Sequence, residues 1–357
     1  MPIVAYTENY GTWHLLVMWR YTVYMGLESL NNERSSYLKE HIEQLEIAGK
    51  KTDTIDVRPE TLKDEVPILL APGWASTIPV YQPLLKTLTG EGRRVFTLNH
   101  PQRGNDTHLS DEEQERLSAF PQPERQKASN LLELLKHKDI SGDKKVDVIA
   151  HSEGCINAIA AALVEPEKFR NIVLFAPPGF MGKDSRIHLA LGWSKWQLGG
   201  RKGMKSLEEI PISEEDKARA AAEGRVAIEY PAIPQTEESL ETGKVAMTEG
   251  LKYMAANPLR AAKEVLDMPS VALDEVIQEL RSRGIGIVII SGVDDPLFPT
   301  KRMAEYLKKD TIDGFLSVRG SHPQIGDDPE RFGVAANQML ERLRDKKRAR
   351  NSPSEIR

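Results

Sequence analysis

Ser152 stands in a short sequence pattern that fits a nucleophilic serine. The run 146–149 before it is apolar and rich in β-branched residues, Ala150 and Gly154 are small, and 156–163 has the composition of a helix. The pattern is of the Gly-x-Ser-x-Gly type. It is meaningful where a strand is followed by a sharp turn that carries the serine and then by a helix. Such a turn would lift the Ser152 hydroxyl above the sheet edge, at a helix N-terminus that favours negative charge. A buried serine at a helix N-cap is the alternative interpretation.

The two residue types that such a serine needs come later in the chain. Asp295 follows the strand-like run 284–292, and His322 follows the run 314–318. A serine hydroxyl is a weak nucleophile, so it requires a base within hydrogen-bond reach, and a carboxylate would orient that base. Ligands of an open parallel sheet bind beyond the C-terminal ends of its strands. The order Ser152, Asp295, His322 therefore predicts a nucleophile, an acid and a base in one site.

Candidate donors for an oxyanion lie in two turns. A tetrahedral intermediate needs preorganised N–H groups, each worth about 2.7–4 kcal/mol. The N–H of Glu153 and one N–H from the turn formed by Gly73 and Trp74 are the candidates, because a glycine directly after a strand lets the backbone turn and expose N–H groups. His100 is also a base by residue type, but His322 fits the role better, so we interpret His100 as structural.

The elements that would position these residues alternate along the chain. Apolar runs of strand length occur at 66–71, 94–98, 146–149, 171–176 and 284–292, with helical segments between them. This alternation predicts βαβ units and a parallel sheet. From 180 to about 270 the alternation stops and helix-forming residues dominate, which we interpret as an inserted helical cap. Such segments supply pocket walls, so the candidate substrate-binding residues are Trp193, Trp196 and Phe180.

These motifs resemble the α/β-hydrolase-fold serine hydrolases, a capped esterase- and lipase-like family. The resemblance covers roughly 64–180 and 271–343, and it is carried by Pro72-Gly73-Trp74, Ala150-His151-Ser152-Glu153-Gly154, the loop 292–299 and Gly320-Ser321-His322. It implies an α/β fold with a mostly parallel central sheet flanked by helices and with an inserted helical cap.

The family's acid loop, Gly-x-x-Asp-x-x-x-Pro, selects Asp295 over its neighbour Asp294, which stays the alternative. Ala150 stands where the family has a glycine, and the loop 99–106 departs from the family's pattern.

The sequence divides into five predicted parts. They are an N-terminal extension (1–60), a first part of the core (61–180), a helical cap (181–270), a second part of the core (271–345) and a disordered tail (346–357). In the extension, 28–45 has the spacing of an amphipathic helix and 52–59 resembles a short strand. The aromatic stretch 13–25 is interrupted by His14 and Arg20; we expect it to pack on the domain, with a membrane interface as the alternative.

Composition excludes several classes of function. A net charge of -5 gives no ground for nucleic-acid binding, and the single cysteine, Cys155, excludes an internal disulfide or a zinc cluster made of cysteines. No apolar run approaches the roughly 18 residues needed to cross a bilayer, and the N-terminus lacks the pattern of a signal peptide. We therefore expect a cytoplasmic protein without a metal or organic cofactor; the sequence does not predict the oligomeric state.

The predicted activity is hydrolysis of a small-molecule carboxylic ester through an acyl-enzyme intermediate. The aromatic residues of the predicted cap favour a substrate with an apolar acyl or aromatic group. Two other classes stay open, namely a non-catalytic, receptor-like ligand-binding protein, and an acyltransferase or thioesterase that uses the same three residues.

Overall fold

The computed structural model describes residues 34–101, 109–180, 218, 222, 226–230, 237–292, 295, 297–300, 303, 311–318, 322 and 329–351. The strands of this part are β1 (Ile42–Ile47), β2 (Lys50–Val57), β3 (Ile68–Ala71), β4 (Val95–Leu98), β5 (Val146–His151), β6 (Phe169–Phe175), β7 (Val226–Tyr230), β8 (Gly286–Gly292) and β9 (Gly314–Val318). The helices are α1 (Arg34–His41), α2 (Ile78–Gly90), α3 (Asp111–Arg116), α4 (Gln122–His137), α5 (Glu153–Val164), α6 (Glu237–Ala256), α7 (Pro258–Asp267), α8 (Asp274–Ser282) and α9 (Pro329–Asn351).

The described strands form one mostly parallel sheet, as the sequence predicted. Their order is β1-β2-β4-β3-β5-β6-β8-β9-β7. β2 pairs antiparallel with β4, whereas β3, β4, β5, β6, β7, β8 and β9 pair in parallel. Every residue of β3, β5 and β8 is buried, which explains why these strands are nearly continuous apolar runs.

The chain forms two compact units, Met1–Ile42 and Glu43–Arg357. In the first unit the structure describes α1, in which the His41 ring lies 2.8 Å from the carbonyl oxygen of Tyr37. The predicted helix over 28–45 is therefore wrong from Ile42 onward, where β1 begins.

A tight hairpin explains that error. Ala48 and Gly49 both have positive φ, 51° and 67°, and they join β1 to β2. Two successive residues with positive φ are the geometry of the type I′ hairpin turn, which matches the twist of the paired strands. Pairing in the sheet thus overrides the helical spacing of the apolar residues, and β1 and β2 of the predicted extension belong to the sheet.

The segment predicted to be a wholly helical cap also contains a strand. β7 (Val226–Tyr230) pairs in parallel with β9, so part of 181–270 extends the sheet. Its larger apolar residues, Val226, Ile228 and Tyr230, stand at alternate positions as in a strand. Five residues among helix formers nevertheless give a weak signal, and the partner strand is remote in sequence. α6 and α7 agree with the helical prediction for the described residues 237–267; their role as a cap stays a prediction.

The C-terminal helix extends into the predicted disordered tail. α9 runs to Asn351, so 346–351 is helical rather than part of a disordered tail. The basic residues of this stretch are good helix formers and their charges favour the C-terminal end of a helix dipole. Among the residues that the structure covers, no helix is both long and apolar enough to cross a membrane.

Candidate active site

Ser152 sits on a strained turn between β5 and α5. Its backbone has φ 51° and ψ −125°, a combination that costs energy for a residue other than glycine. The Ser152 N–H donates to the carbonyl oxygen of Phe175, 2.9 Å away, which fixes the turn against β6. A Cβ atom on Gly154 would lie 2.3 Å from the Ala71 carbonyl oxygen. β3 and α5 therefore approach so closely that only glycine fits at position 154. On the N-terminal side of Ser152, the buried Ala150 is tolerated.

The structure brings the three predicted residues Ser152, His322 and Asp295 together in one hydrogen-bonded chain. Ser152 Oγ lies 2.9 Å from His322 Nε2, and His322 Nδ1 lies 2.9 Å from Asp295 Oδ2. All three residues are less than one-tenth exposed. With a proton on Nδ1 bonded to the carboxylate, Nε2 is the acceptor that faces the serine hydroxyl, which is the arrangement a general base requires.

The Asp295 carboxylate is itself held in place. Its Oδ1 accepts hydrogen bonds from the N–H groups of Leu297 (2.8 Å) and Phe298 (3.0 Å), which leaves Oδ2 for His322. The Phe298 ring packs against the His322 ring, with centroids 5.2 Å apart. These contacts favour Asp295 as the acid; Asp294, the sequence alternative, lies outside the described residues.

The two turns predicted to supply oxyanion donors flank Ser152. Glu153 is the first residue of α5, where an N–H group has no acceptor within the helix. A Cβ atom built on Gly73 would lie 3.3 Å from the Ser152 Cβ, so the second turn is adjacent. The Gly73 N–H donates to Tyr81 Oη at 2.8 Å. The Gly73 N–H is therefore engaged, and in this turn the Trp74 N–H stays the predicted oxyanion donor.

A hydrogen-bond chain that the sequence did not predict joins this turn to the base. Tyr81 Oη lies 3.1 Å from His151 Nδ1, and His151 Nε2 lies 3.3 Å from the His322 carbonyl oxygen. Burial raises the pKa of Tyr81 to about 12, so its hydroxyl keeps its proton and donates to His151 Nδ1. The Nε2–H of His151 then donates to the backbone of His322.

The same burial keeps His151 neutral. It lowers the pKa of His151 to about 3, with the neighbouring His322 acting in the same direction. The only sequence signal for this residue was its position directly before Ser152, since Tyr81 is 70 residues away in the chain.

The side chain of Glu153 is buried rather than solvated. Both of its carboxylate oxygens lie within 2.7 Å of Lys127 Nζ, and Lys127 Nζ also lies 3.2 Å from Glu264 Oε1. Trp74 Nε1 donates to Glu264 Oε2 at 3.1 Å. Burial alone would lower the pKa of Lys127, but the carboxylates of Glu153 and Glu264 outweigh it and raise that pKa, so Lys127 is an ammonium ion.

A cavity of about 450 Å³ opens beside Gly73. Its walls are formed by Gln44, Lys51, Thr52, Asp53, Gly73, Ala75, Ser76, Thr77, Asn99, His100, Pro101, Lys127, Glu249, Lys252 and Tyr253. Phe180 is fully buried in the hydrophobic core, and its predicted place in the substrate site stays a prediction. The other two predicted substrate-binding residues, Trp193 and Trp196, lie outside the described residues.

His100 lines this cavity as a neutral imidazole. Both of its ring nitrogens are buried, and neither has a hydrogen-bond partner among the residues that the structure describes. Burial lowers its pKa well below the ordinary value, and the cationic side chains of Lys127 and Arg260 act in the same direction. Within the described ranges, no group of three or more His, Cys, Asp or Glu side chains is arranged to hold a metal ion.

Comparison with known proteins agrees with this architecture. Residues 66–322 match the family model described as the alpha/beta hydrolase fold. No curated protein matches the chain significantly.

Three solved structures share the fold at low identity. A thermophilic esterase from Thermogutta terrifontis is 17% identical, with 85% of this chain and 98% of that chain covered and a TM-score of 0.53. A membrane phospholipase A described as a bacterial virulence factor is 14% identical, with 94% and 98% covered and a TM-score of 0.57. A meta-cleavage product hydrolase from Pseudomonas fluorescens IP01 is 15% identical, with 85% and 98% covered and a TM-score of 0.52.

At these identities the similarity shows the fold alone. The family model, in contrast, spans well over half of the chain and includes Ser152, Asp295 and His322. The chain belongs to the α/β-hydrolase-fold family.

Proposed function

We propose that this protein is a serine hydrolase that cleaves carboxylic esters through an acyl-enzyme intermediate. The observation that carries the proposal is the hydrogen-bonded chain from Ser152 Oγ to His322 Nε2 and from His322 Nδ1 to Asp295 Oδ2, with both distances at 2.9 Å. A buried serine that merely capped a helix would not need a base so placed, and in fact Ser152 makes no side-chain cap hydrogen bond to α5.

The geometry supports a two-step reaction. In the first step His322 accepts the Ser152 proton as Oγ attacks the ester carbonyl carbon, and it then returns that proton to the departing alkoxide, leaving an acyl-serine and an alcohol. In the second step His322 takes a proton from water as the water oxygen attacks the acyl-serine, and it then returns that proton to Ser152 Oγ as the carboxylic acid is released. Asp295 stabilises the imidazolium that forms in each step, and the N–H groups of Glu153 and Trp74 receive the oxyanion.

Covalent labelling with a fluorophosphonate probe, read by intact mass, tests this proposal. We expect one adduct on the wild type and none on Ser152→Ala or His322→Ala. His137→Ala is the matched control, because His137 is an exposed histidine on α4, and this variant should label as the wild type does. A folded wild type that is not labelled would contradict the proposal and would favour the receptor-like alternative.

Turnover of p-nitrophenyl esters then tests the type of reaction. Hydrolysis of oxygen esters supports an esterase, whereas faster cleavage of the matching thioesters, or acyl transfer to an added alcohol, would favour the thioesterase or acyltransferase alternative. The same assay across acyl chain lengths tests the predicted apolar acyl group. Activity that declines steeply from two carbons upward would contradict that prediction.

A further inference from the structure

A buried ion cluster connects the two turns that flank Ser152. Glu153 begins α5, Lys127 lies on α4, Glu264 lies on α7, and Trp74 lies in the turn after β3. The contacts run in series from Glu153 to Lys127 (2.6 Å), from Lys127 to Glu264 (3.2 Å) and from Glu264 to the Trp74 indole N–H (3.1 Å). The side chains of Lys127, Glu153 and Glu264 are at most 2% exposed.

The cluster has further partners that hold Glu264. Tyr253 donates its hydroxyl to the Glu264 carboxylate at 2.6 Å, and Arg260 Nε lies 3.0 Å from Glu264 Oε1. Glu124 is the third buried acid. Burial and the nearby Glu153 carboxylate raise its pKa well above the ordinary value, so it is protonated. The carboxylates of Glu153 and Glu264 face two cationic side chains, those of Lys127 and Arg260.

Stability does not explain why these charges are buried here. Replacing a buried ion pair by well-packed apolar residues is often neutral or stabilising, because the desolvation cost rivals the attraction. What the cluster provides instead is fixed geometry, since each member has directional bonds in a dry environment. It fixes the side chains of the two residues whose backbone N–H groups are predicted to receive the oxyanion.

We propose that Lys127 and Glu264 are positioning residues for the oxyanion site, because they join the side chains of Glu153 and Trp74 through one buried ion cluster. The inference rests on the proposed function. It predicts that breaking the link weakens stabilisation of the transition state while binding of the uncharged ester is unaffected.

The test compares Trp74→Phe, Glu264→Leu and the double variant, with a small p-nitrophenyl ester as substrate. Trp74→Phe removes the indole N–H and keeps an aromatic ring, and Glu264→Leu removes the carboxylate. Since a misplacement of 1 Å can cost about a hundredfold in rate, we expect each single variant to lower kcat by about tenfold with little change in KM. The double variant should be no slower than Glu264→Leu alone, because both changes break the same link.

Arg93→Met is the matched control. Arg93 and Asp147 form an equally buried pair at 2.8 Å, and Asp147 lies near the start of β5, about 16 Å from the catalytic end at 3.3 Å per residue. This control should lose stability but keep kcat within twofold. Variants of Trp74 and Glu264 that behave like the control, or kcat losses that multiply in the double variant, would overturn the inference.

Two further comparisons keep the outcomes distinct. If Glu264→Leu does not fold, Trp74→Phe alone decides, and an unchanged kcat in that variant overturns the inference. Fluorophosphonate labelling of the wild type separates the two proposals. No labelling contradicts the proposed function itself, whereas normal labelling with unchanged kcat in the variants contradicts only the positioning role.

Discussion

At the scale of single residues, His151 shows how burial sets a protonation state beside the candidate nucleophile. Its ring lies between Tyr81 and His322, and it uses one nitrogen as an acceptor and the other as a donor. An imidazolium could not accept the Tyr81 hydrogen bond and would face the positive form of His322. The neutral ring is therefore the form that fits the site.

This neutral state predicts a pH dependence of stability. The pKa of His151 is lowered from 6.5 to about 3, so the unfolded chain binds a proton that the folded chain excludes in that window. The stability contributed by His151 is complete above pH 6.5 and declines as the pH falls toward 3, by at most about 1.4 kcal/mol per pH unit. Urea unfolding of His151→Gln between pH 7 and 4 should show a shallower decline than the wild type.

The exposed His137, replaced by glutamine in the same way, controls for the loss of an imidazole. Equal slopes for the wild type and His151→Gln would contradict the assignment of a buried neutral ring.

The three residues of the hydrogen-bonded chain could be predicted because their positions follow from local rules. Ser152 comes directly after β5, Asp295 and His322 follow β8 and β9 within four residues, and parallel strands of one sheet end at the same edge. Tyr81 and Glu264 carried no such signal. Tyr81 is near the start of a helix, and Glu264 is one of several acids in a helical segment, so neither sequence position indicates a partner near Ser152.

At the scale of elements, the close approach of β3 and α5 makes Gly154 the most constrained position of the turn. A Cβ atom there would lie 2.3 Å from the Ala71 carbonyl oxygen and 2.5 Å from that of Pro72, and both are backbone atoms that cannot rotate away. We expect Gly154→Ala to lower the free energy of unfolding by about 1–3 kcal/mol or more, measured by denaturant titration.

Gly250→Ala is the matched control. Gly250 lies within α6, and a Cβ atom added there would have no neighbouring atom within 4 Å, so this change should raise stability by about 0.5–1 kcal/mol through helix propensity. A Gly154→Ala variant as stable as the wild type would show that helix and strand can separate without cost.

Element boundaries were predicted well in the core and poorly at its edges. β3, β5 and β8 are buried on both faces, so their sequences are apolar runs that clearly predict strands. β1 and β7 are edge strands, whose composition is compatible with a helix or a loop. These segments are strands because β1 pairs with β2 and β7 pairs with β9.

At the scale of the whole molecule, the reactivity of the single cysteine, Cys155, depends on whether the core is closed. The Cys155 thiol is fully buried and contacts the carbonyl oxygens of Ala150 (3.3 Å) and Phe175 (3.4 Å), so it lies against β5 and β6 at the centre of the sheet. Burial raises the pKa of this thiol well above its ordinary value, which suppresses the reactive thiolate.

Cys155 should therefore react with a maleimide only when the core opens. For an ordinary stability of about 5–15 kcal/mol we expect labelling in native buffer to be about a thousandfold or more slower than in roughly 8 M urea. Intact mass against time measures both rates, and Cys155→Ser shows the background. Comparable rates in the two conditions would mean that the centre of the sheet opens locally.

Strand composition and a small residue at a tight turn are local properties, and they predicted the parallel sheet and the turn that carries Ser152. Asp295 and His322 were predicted as acid and base from residue order and from the resemblance of the loop 292–299 to a family pattern. The burial and pairing of charged side chains, in contrast, became visible in the three-dimensional fold. Lys127 with Glu153 and Glu264, and Arg93 with Asp147, are charged residues, a type that is almost never fully buried unless it is paired. Their burial depends on partners that are remote in sequence, and electrostatic compensation is set by distance in space, not by distance along the chain.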